Sequence, residues 1–525
     1  MKSKFYIPFF ITPLLCIFVT YSAYGTDFFQ SSVISNIELN LEKNITIKTN
    51  QFPKAHYPNS NTNNKSIPGS VVAAPFDIHN PGNQKSKTGY MYSWARDTGV
   101  VMMAINGLFK KAVKDNDQTN INKYGQYMLN YIDWLKFISK QQNYTPGITR
   151  FYLSGQPDLT WINPQFDGPA IRSIVLSDFA NVLIDHNPTI KNTKYGKKYV
   201  SNNLYNKNGY GLISTYLKYI KVNYNKNNYD LWESCKGKHF FTEMVQLKAL
   251  VLGAALSIKL NDKYNAISYL NTSIKLAQLI VKHWGKFNYK KKAYECYREG
   301  SNIPSRLQFP MLPNHSNNKY LKYRGMGLNS SVLLGILYGN LYEISQKDSW
   351  VYIELIKSKK TSSKFLNIIK LAQKNFFPAS SRVQKTVTLL TQAFKPDNMD
   401  PYKINKDTAE GVALLGRYPG DLYTGATWND PKKLGNPWFI CSTALAQYYY
   451  LLAKEKNQYE YITKGNSVME LIYKYIDNKN STSGSKYTMS EQINRTTGVQ
   501  TSFHNLSWSY AQYLLTYFAY SNAIH

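Results

Sequence analysis

The stretch YMYSWARDTGVVMMAINGLFKKAV, residues 90–113, places a polar and aromatic loop directly before an apolar helix. The loop, residues 90–97, combines tyrosine and tryptophan rings with an adjacent arginine and aspartate. Apolar side chains then recur at intervals of four and three residues, at Val101, Ile105, Phe109 and Ala112. Because this is the period of one helix face, the stretch predicts a helix that carries polar and aromatic groups at its N-terminal end.

Five further loops of the same character precede apolar stretches. They are WINPQFDGP at 161–169, DLWES at 230–234, YRG at 323–325, RYP at 417–419 followed by GNPW at 435–438, and SEQ at 490–492 followed by LSW at 506–508. The six loops start 69 to 94 residues apart, which is enough for two helices and their connections. Helical periodicity between the loops predicts further helices at 120–141, 263–283, 349–374 and 460–477.

Six loops at six helix starts predict an all-α helical toroid, in which six inner helices begin at the same end. The returning helices would form an outer ring, and residues 26–60 would supply the outer partner of the last inner helix. An open helical solenoid is the alternative, but its repeats should resemble one another, and these loops do not. We expect one domain over residues 26–525.

The composition excludes several functional classes. The chain has 525 residues, 43% of them hydrophobic, which is enough apolar material for a large core. Its net charge is +31, but the lysines are scattered and form no known nucleic-acid-binding module, so we expect no nucleic-acid partner. Four cysteines without a CxxC pair predict neither a disulfide framework nor a zinc site. No metal or cofactor is expected.

The first 25 residues resemble a secretion signal. Two lysines near the start precede a mostly apolar run from Phe5 to Thr20, and small residues near Gly25 suit cleavage. No later stretch is read as a membrane span. We therefore expect a secreted protein, or a periplasmic one as the alternative, that is not bound to a membrane after cleavage.

Two glutamates stand in loops suited to glycoside chemistry. Hydrolysis of a glycosidic bond needs one protonated carboxyl group to protonate the leaving oxygen and one carboxylate to activate water or attack directly. Glu233 follows Trp232, whose ring could exclude water and raise the pKa of the acid. Glu491 stands in a Gly-, Thr- and Asn-rich loop that suits an ionised base. Signatures of serine hydrolases, P-loop enzymes and HExxH zinc proteases are absent.

Six blocks in order resemble glucoamylase, of glycoside hydrolase family fifteen. They are GSVVAAP at 69–75, YMYSWARD at 90–97, WINPQFDGPAIR at 161–172, DLWESCKGKHFFT at 230–242, GRYPGD at 416–421 with GNPWFIC at 435–441, and SEQ at 490–492 with LSWSY at 506–510. The resemblance runs from about residue 60 to the C-terminus. It implies an all-α (α/α)6 barrel with the active site at the N-terminal ends of the inner helices. Such an enzyme releases glucose, with inversion, from the non-reducing ends of starch, glycogen and maltooligosaccharides. We expect a single catalytic domain over residues 26–525 and no starch-binding module.

The resemblance also implies roles for individual residues. Glu233 matches the general acid and Glu491 the general base. The matches to substrate-binding positions are Tyr90, Arg96, Asp97, Trp161, Asp230, Trp232, Arg417, Trp438, Gln492 and Trp508. Of these, Asp230 matches an acidic residue whose charge would help to keep Glu233 protonated. Ser234 departs from the pattern, because an acidic residue follows the general acid in fungal members.

Two other hypotheses stay open at this stage. One is another (α/α)6 carbohydrate enzyme of the trehalase, glucodextranase or phosphorylase type. The other is a non-catalytic protein that binds glycans through the same aromatic surface. The expected partners of the enzyme are soluble glucan substrates, and we expect a monomer.

Overall fold

The computed structural model describes residues 27–52, 65–75, 90–206, 210–289, 292–301, 308–309, 325–425, 434–476 and 485–524. The predicted signal at 1–25 lies outside the described residues, as do Tyr323 and Arg324 of the fourth loop. All quoted residues of the other five loops are described by the structure.

The described residues are mainly helical. In chain order the α-helices are α1 Ser31–Lys43, α2 Ala95–Lys114, α3 Gln118–Ile138, α4 Asp167–His186, α5 Lys197–Tyr199, α6 Leu212–Asn223, α7 Phe240–Lys259, α8 Lys263–Val281, α9 Ser330–Tyr338, α10 Trp350–Ile356, α11 Lys359–Asn375, α12 Ser381–Ala393, α13 Phe439–Lys456, α14 Glu460–Tyr473 and α15 Ser507–Ile524. Each of the six polar loops is followed by one of these helices.

Those six helices, α2, α4, α7, α9, α13 and α15, form a closed inner ring. Each packs against the next in chain order, and α15 packs back against α2. In an open solenoid the first and last inner helices would lie apart. The contact between α15 and α2 therefore excludes a solenoid and identifies an (α/α)6 barrel. Helices α7 and α13 are buried on almost every face, as expected for helices covered by an outer ring.

The remaining long helices lie outside this ring. Helix α3 packs on α2, α6 on α4, α8 on α7 and α14 on α13. The N-terminal helix α1 packs on α15 and so covers the last inner helix. The first turns of three inner helices meet: Arg96 of α2 contacts Asp167 of α4 and lies over the ring of Trp508 of α15. These helices therefore begin at the same end of the barrel.

Short strands occur in the loops that connect the helices. They are β1 Tyr92–Trp94, β2 Arg150–Tyr152, β3 Thr189–Ile190, β4 Thr193–Lys194, β5 Asn228–Tyr229, β6 Lys236–Gly237, β7 Trp284–Tyr289, β8 Lys292–Tyr297, β9 Gln308–Phe309, β10 Gln492–Ile493 and β11 Gln500–Thr501. Strands β1 and β2 pair antiparallel with Trp94 opposite Arg150, and β10 pairs with β11. These pairs fix the loops in which the predicted site residues stand.

Two sequence-based expectations need correction. The helix predicted at 349–374 is two helices, α10 and α11, because Ser358 caps a new helix by accepting the N–H of Thr361. Helix α7 is long and apolar enough to cross a membrane, although the sequence suggested no such stretch. Its apolar surface is instead buried within the inner ring, which is why its pattern is apolar on all sides.

Candidate active site

The predicted acid, Glu233, is held by two indole N–H groups. Trp94 donates to its Oε1 at 2.9 Å and Trp161 donates to its Oε2 at 2.7 Å. The guanidinium of Arg96 lies 3.7 Å from Oε1, and only 9% of the Glu233 side chain is exposed. Trp232, which the sequence suggested as the ring beside this carboxyl group, instead donates its indole N–H to Asn329 Oδ1 at 2.8 Å.

The backbone of Glu233 is in the left-handed region, with φ of +61°. For a residue with a Cβ this conformation costs about 1–2 kcal/mol, so the surrounding turn has to impose it. Asp230 does so through its carboxylate, which accepts the N–H groups of Trp232 at 3.1 Å and of Ser234 and Cys235 at 2.7 Å each. The Asp230 carbonyl accepts the Glu233 N–H at 2.9 Å.

Asp230 also has a structural task in its own loop, besides the effect that we expect its charge to have on Glu233. Asp230 is 2% exposed, and its carboxylate oxygens are occupied by backbone donors of its own loop. Burial is the main reason that the pKa of Glu233 is raised. The charges of Arg96 and Arg150 and the two indole donors oppose that shift. Glu233 thus retains its proton at higher pH than an ordinary glutamate because it is desolvated.

The predicted base, Glu491, is surrounded by hydroxyl and amide donors. Tyr90 donates to Oε1 at 3.1 Å, while the hydroxyl of Ser502 and the side-chain amide of Gln492, the latter at 3.1 Å, donate to Oε2. Burial raises the pKa of Glu491 to about 7, and these three donors and the charge of Arg417 lower it. The loop composition suggested an ionised base, and because Glu491 is only 1% exposed, its ionised form depends on these donors more than on water.

Tyr90 and Trp94 connect the two carboxyl groups. Tyr90 contacts Glu491 and Trp94 contacts Glu233, and the two rings lie 5.2 Å apart between centroids. Both glutamates therefore lie at the same end of the barrel, although they are far apart in the sequence. An acid and a base on the two sides of one pair of rings can act on one bound molecule.

A continuous row of aromatic side chains, each in contact with the next, lies at this end of the barrel. The ring of Trp508 stacks on Trp232 at 6.3 Å, and Trp232 meets Trp438 edge to face at 5.3 Å. Trp438 lies 5.9 Å from Tyr423, whose hydroxyl is 2.5 Å from that of Tyr90. Three predicted tryptophans thus form one continuous wall that returns to the base.

Arg96 joins the other end of that wall to the acid. Its guanidinium lies 5.2 Å from the centre of the Trp508 ring and donates to Gln165 Oε1 at 2.9 Å and to Asp167 Oδ2 at 3.1 Å. Asp97 is 3.5 Å from the same guanidinium. Burial raises the pKa of Asp97 to about 6; the charge of Arg96 opposes the shift, and Glu233 adds to it.

Several buried polar atoms at this end of the barrel lack a hydrogen-bond partner among the described residues. Four belong to Arg96 and its neighbours, namely Arg96 Nε, Asp97 Oδ2, Gln165 Nε2 and Asp167 Oδ1, and the fifth is Trp438 Nε1, beside Arg417. Buried polar atoms in proteins are nearly always paired, so a group of unpaired ones indicates a place where water or a ligand completes the bonding. Donors and acceptors are both present, as a polyhydroxylated ligand requires.

Arg417 is fixed by a buried aspartate. Its Nε and one terminal nitrogen each donate to Asp421 at 2.7 Å, and its guanidinium lies 4.7 Å from the centre of the Tyr423 ring. This bidentate pair holds a positive charge close enough to Glu491 to lower the pKa of that carboxyl group. Gln492 also accepts the amide N–H of Asn436 at 3.0 Å, which ties the base to the loop before α13.

The sequence did not single out several residues that contact this site. Among them are Trp94, Gln165, Asp167, Tyr423 and Ser502. Trp94 and Asp167 stand inside the quoted blocks, so their position beside predicted residues was an available signal. Tyr423 and Ser502 belong to loops without a motif, and only the fold brings them to Tyr90 and Glu491. No group of metal-binding side chains is found among the described residues.

Comparison with known proteins adds a family to this geometry. The model of the family described as "Glycosyl hydrolases family 15" matches residues 55–518. A glucoamylase of Blastobotrys adeninivorans is 25% identical over 497 residues, covering 86% of this chain and 67% of the relative. Glucoamylase GLU1 of Saccharomycopsis fibuligera is 24% identical over 511 residues, covering 86% of this chain and 84% of the relative.

Solved structures share the fold. A glucoamylase from Saccharomycopsis fibuligera superimposes with a TM-score of 0.63 at 20% identity, covering 96% of this chain and 98% of the other. A family 15 glucoamylase from Hypocrea jecorina gives a TM-score of 0.62 at 18% identity, covering 95% of this chain and 73% of the other. At these identities the likeness concerns the arrangement of the helices.

Proposed function

Because the chain belongs to glycosyl hydrolase family 15, we propose that it is a glucan 1,4-α-glucosidase in which Glu233 is the general acid and Glu491 the general base. The observation that carries the proposal is the placement of two buried carboxyl groups at the two sides of the Tyr90–Trp94 pair. The sequence relatives are glucoamylases over most of this chain. The substrates proposed are starch, glycogen and maltooligosaccharides.

The reaction is an inverting hydrolysis. Glu233 gives its proton to the glycosidic oxygen as the bond from that oxygen to C1 of the terminal glucose breaks. A water molecule forms the new C1–O bond from the opposite face, and Glu491 accepts the proton that this water loses. The product is β-glucose from an α-linked chain. Proton exchange with solvent then restores a protonated Glu233 and an ionised Glu491.

The environments of the two glutamates support these roles. Desolvation raises the pKa of Glu233, which favours the protonated form that an acid needs. Glu491 has three hydrogen-bond donors on its oxygens, and such donors favour the ionised form that a base needs. With a pKa of about 7, Glu491 is half ionised near neutral pH.

The groups around Arg96 would bind the terminal sugar. Arg96 Nε and Asp97 Oδ2 are a buried donor and a buried acceptor without a hydrogen-bond partner among the described residues, and sugar hydroxyl groups both donate and accept. Tyr90, Trp161, Trp232, Trp438 and Trp508 would supply apolar walls for the sugar rings. Ser234, in place of an acidic residue, leaves the leaving-group side of the site without a negative charge next to Glu233.

We also propose that residues 1–25 direct export and that residues 26–525 form one monomeric catalytic domain. The apolar run from Phe5 to Thr20 supports the first point. The contact of α1 with the last inner helix, α15, supports the second, because it makes the N-terminal segment part of the barrel.

A substrate panel tests the activity. Purified protein is incubated with maltoheptaose, soluble starch, trehalose, and maltose plus inorganic phosphate, and the products are separated by chromatography. The proposal predicts glucose as the first and main product from maltoheptaose and starch, without dependence on phosphate. Long oligosaccharides as first products, a strong preference for trehalose, or glucose 1-phosphate would contradict it.

A further inference from the structure

Arg150 lies beside both tryptophans that hold Glu233. It stands in β2 directly opposite Trp94 of β1. Its guanidinium lies 3.7 Å from the centre of the Trp161 ring and 3.9 Å from that of Tyr92. A planar guanidinium stacks on an aromatic face and fixes the orientation of the ring as well as attracting it.

Asp158 fixes Arg150 and the approach to Trp161 at the same time. Its Oδ2 accepts the Nε–H of Arg150 at 2.7 Å, and its backbone N–H donates to the Arg150 carbonyl at 3.1 Å. Its Oδ1 accepts the backbone N–H of Thr160 at 3.0 Å and the Thr160 hydroxyl at 2.6 Å. Asp158 is 1% exposed, so these bonds form away from water.

We propose that Arg150, held by Asp158, is a positioning residue for the general acid: it sets the Trp161 indole that donates to Glu233. The inference rests on the proposed function of Glu233. Arg150 itself donates to Asp158, and it acts on Glu233 through the stacked ring and through its charge. Because β1 places Trp94 opposite Arg150, the same residue also borders the second indole donor.

The charge of Arg150 supports this role. Arg96 and Arg150 both favour the ionised form of Glu233 and so oppose the effect of burial on its pKa. Asp97 is the carboxyl group that faces Glu233 from α2. An acid that has given up its proton is a carboxylate, and two arginines and two indole N–H groups are ready to stabilise it without rearrangement.

Variants separate the stack from the charge. Arg150→Gln removes both, Arg150→Lys keeps the charge without the planar stack, and Asp158→Asn removes the charged partner of the arginine. Arg382→Gln is the matched control, because Arg382 lies 5.2 Å from the ring centre of Trp284 on the outer wall of the barrel. Each variant is compared with the parent protein by its thermal unfolding midpoint.

Kinetics give the first readout. For Arg150→Gln we expect kcat on maltoheptaose to fall about 10- to 100-fold, as small misplacements of catalytic groups do, with a smaller change in KM. The variant removes the cation and displaces the Trp161 donor, both of which favour ionised Glu233, so the pKa of Glu233 should rise. Because Glu233 must be protonated to act, the basic limb of the kcat/KM profile should move to higher pH. Arg150→Lys should recover part of kcat and shift the limb less, and Arg382→Gln should match the parent.

A spectroscopic readout tests positioning without relying on activity. In protein labelled with 15N-tryptophan, the indole resonance of Trp161 is assigned with a Trp161→Phe variant. Arg150→Gln should move that resonance while Arg382→Gln leaves it in place. An unmoved Trp161 resonance with an unmoved basic limb would overturn the inference, even if kcat fell. A protein without glucan hydrolysis would reject the proposed function, while the indole resonance would still decide whether Arg150 positions Trp161.

Discussion

Glu233 and Glu491 are both buried at one end of the barrel, but the chain holds them with different chemical groups. The oxygens of Glu233 accept two indole N–H groups, from Trp94 and Trp161, whereas those of Glu491 accept two hydroxyl groups and one amide. An indole can only donate, but a hydroxyl can donate or accept. The indoles therefore cannot take the proton of Glu233, which stays available for transfer.

The same difference suits Glu491 to the opposite task. The hydroxyls of Tyr90 and Ser502 donate to the ionised carboxylate and can turn to accept once it has taken a proton from water. Two buried glutamates thus differ in what their neighbours allow after the proton has moved. The contrast depends on the identity of the donors, since both side chains are almost fully covered.

The largest expected effect comes from removing each carboxyl group in turn. Glu233→Gln and Glu491→Gln should each lower kcat on maltoheptaose by on the order of 10²- to 10⁴-fold, the range that general acid–base catalysis supplies. With α-glucosyl fluoride, whose leaving group needs no proton, Glu233→Gln should regain much of the lost rate and Glu491→Gln should not. Equal recovery by both variants, measured by fluoride release, would reject the assignment of different roles.

The next effect concerns the strained turn of Glu233. Asp230→Ala removes the acceptor of three backbone N–H groups and should let Glu233 move away from its catalytic position. We expect kcat to fall on the order of tenfold, which corresponds to an activation free energy higher by about 1.4 kcal/mol. Asp230→Asn keeps an oxygen for Ser234 and Cys235 and should lose less. If the negative charge of Asp230 were what mattered, the two variants would be equally impaired in kcat at matched folding.

A smaller effect is expected on the side of Glu491. Ser502 has φ of +72°, so Ser502→Gly removes the hydroxyl without adding backbone strain. A hydrogen bond to a charged group is worth about 1.5–3 kcal/mol, so its loss should raise the pKa of Glu491 by about one unit or more. Because Glu491 must be ionised to act, the acid limb of the kcat/KM profile should move to higher pH than in the parent protein.

The basic limb is the internal control of that experiment. It reports Glu233, which has no bond to Ser502, and it should stay in place. An acid limb that does not move, or a basic limb that moves by the same amount, would show that the two carboxyl groups are not tuned separately.

Much of the architecture could be predicted from the sequence because helix periodicity and loop chemistry are local properties. The six loops mark the starts of the six inner helices, and the predicted tryptophans lie together. The break within 349–374 was missed because a serine cap interrupts an apolar pattern that continues on both sides. Neighbouring residues suggested Trp232 as the partner of Glu233, but the β1–β2 pair brings in Trp94 instead.

The tuning of the two glutamates could not be predicted in the same way. Burial of Glu491 and its bond to Ser502 depend on how the β10–β11 hairpin folds back, which loop composition does not reveal. The family resemblance suggested a charge effect of Asp230 on Glu233, but it could not reveal that this carboxylate also accepts three backbone N–H groups of the turn.

The configuration of the first product tests the central claim most directly. Proton NMR of soluble starch or maltoheptaose, recorded within the first minutes after adding the protein, distinguishes the two anomers of released glucose before they interconvert. An acid at Glu233 and a water-activating base at Glu491 predict that β-glucose appears first. Initial release of α-glucose would contradict the inverting mechanism and the role of Glu491 in it.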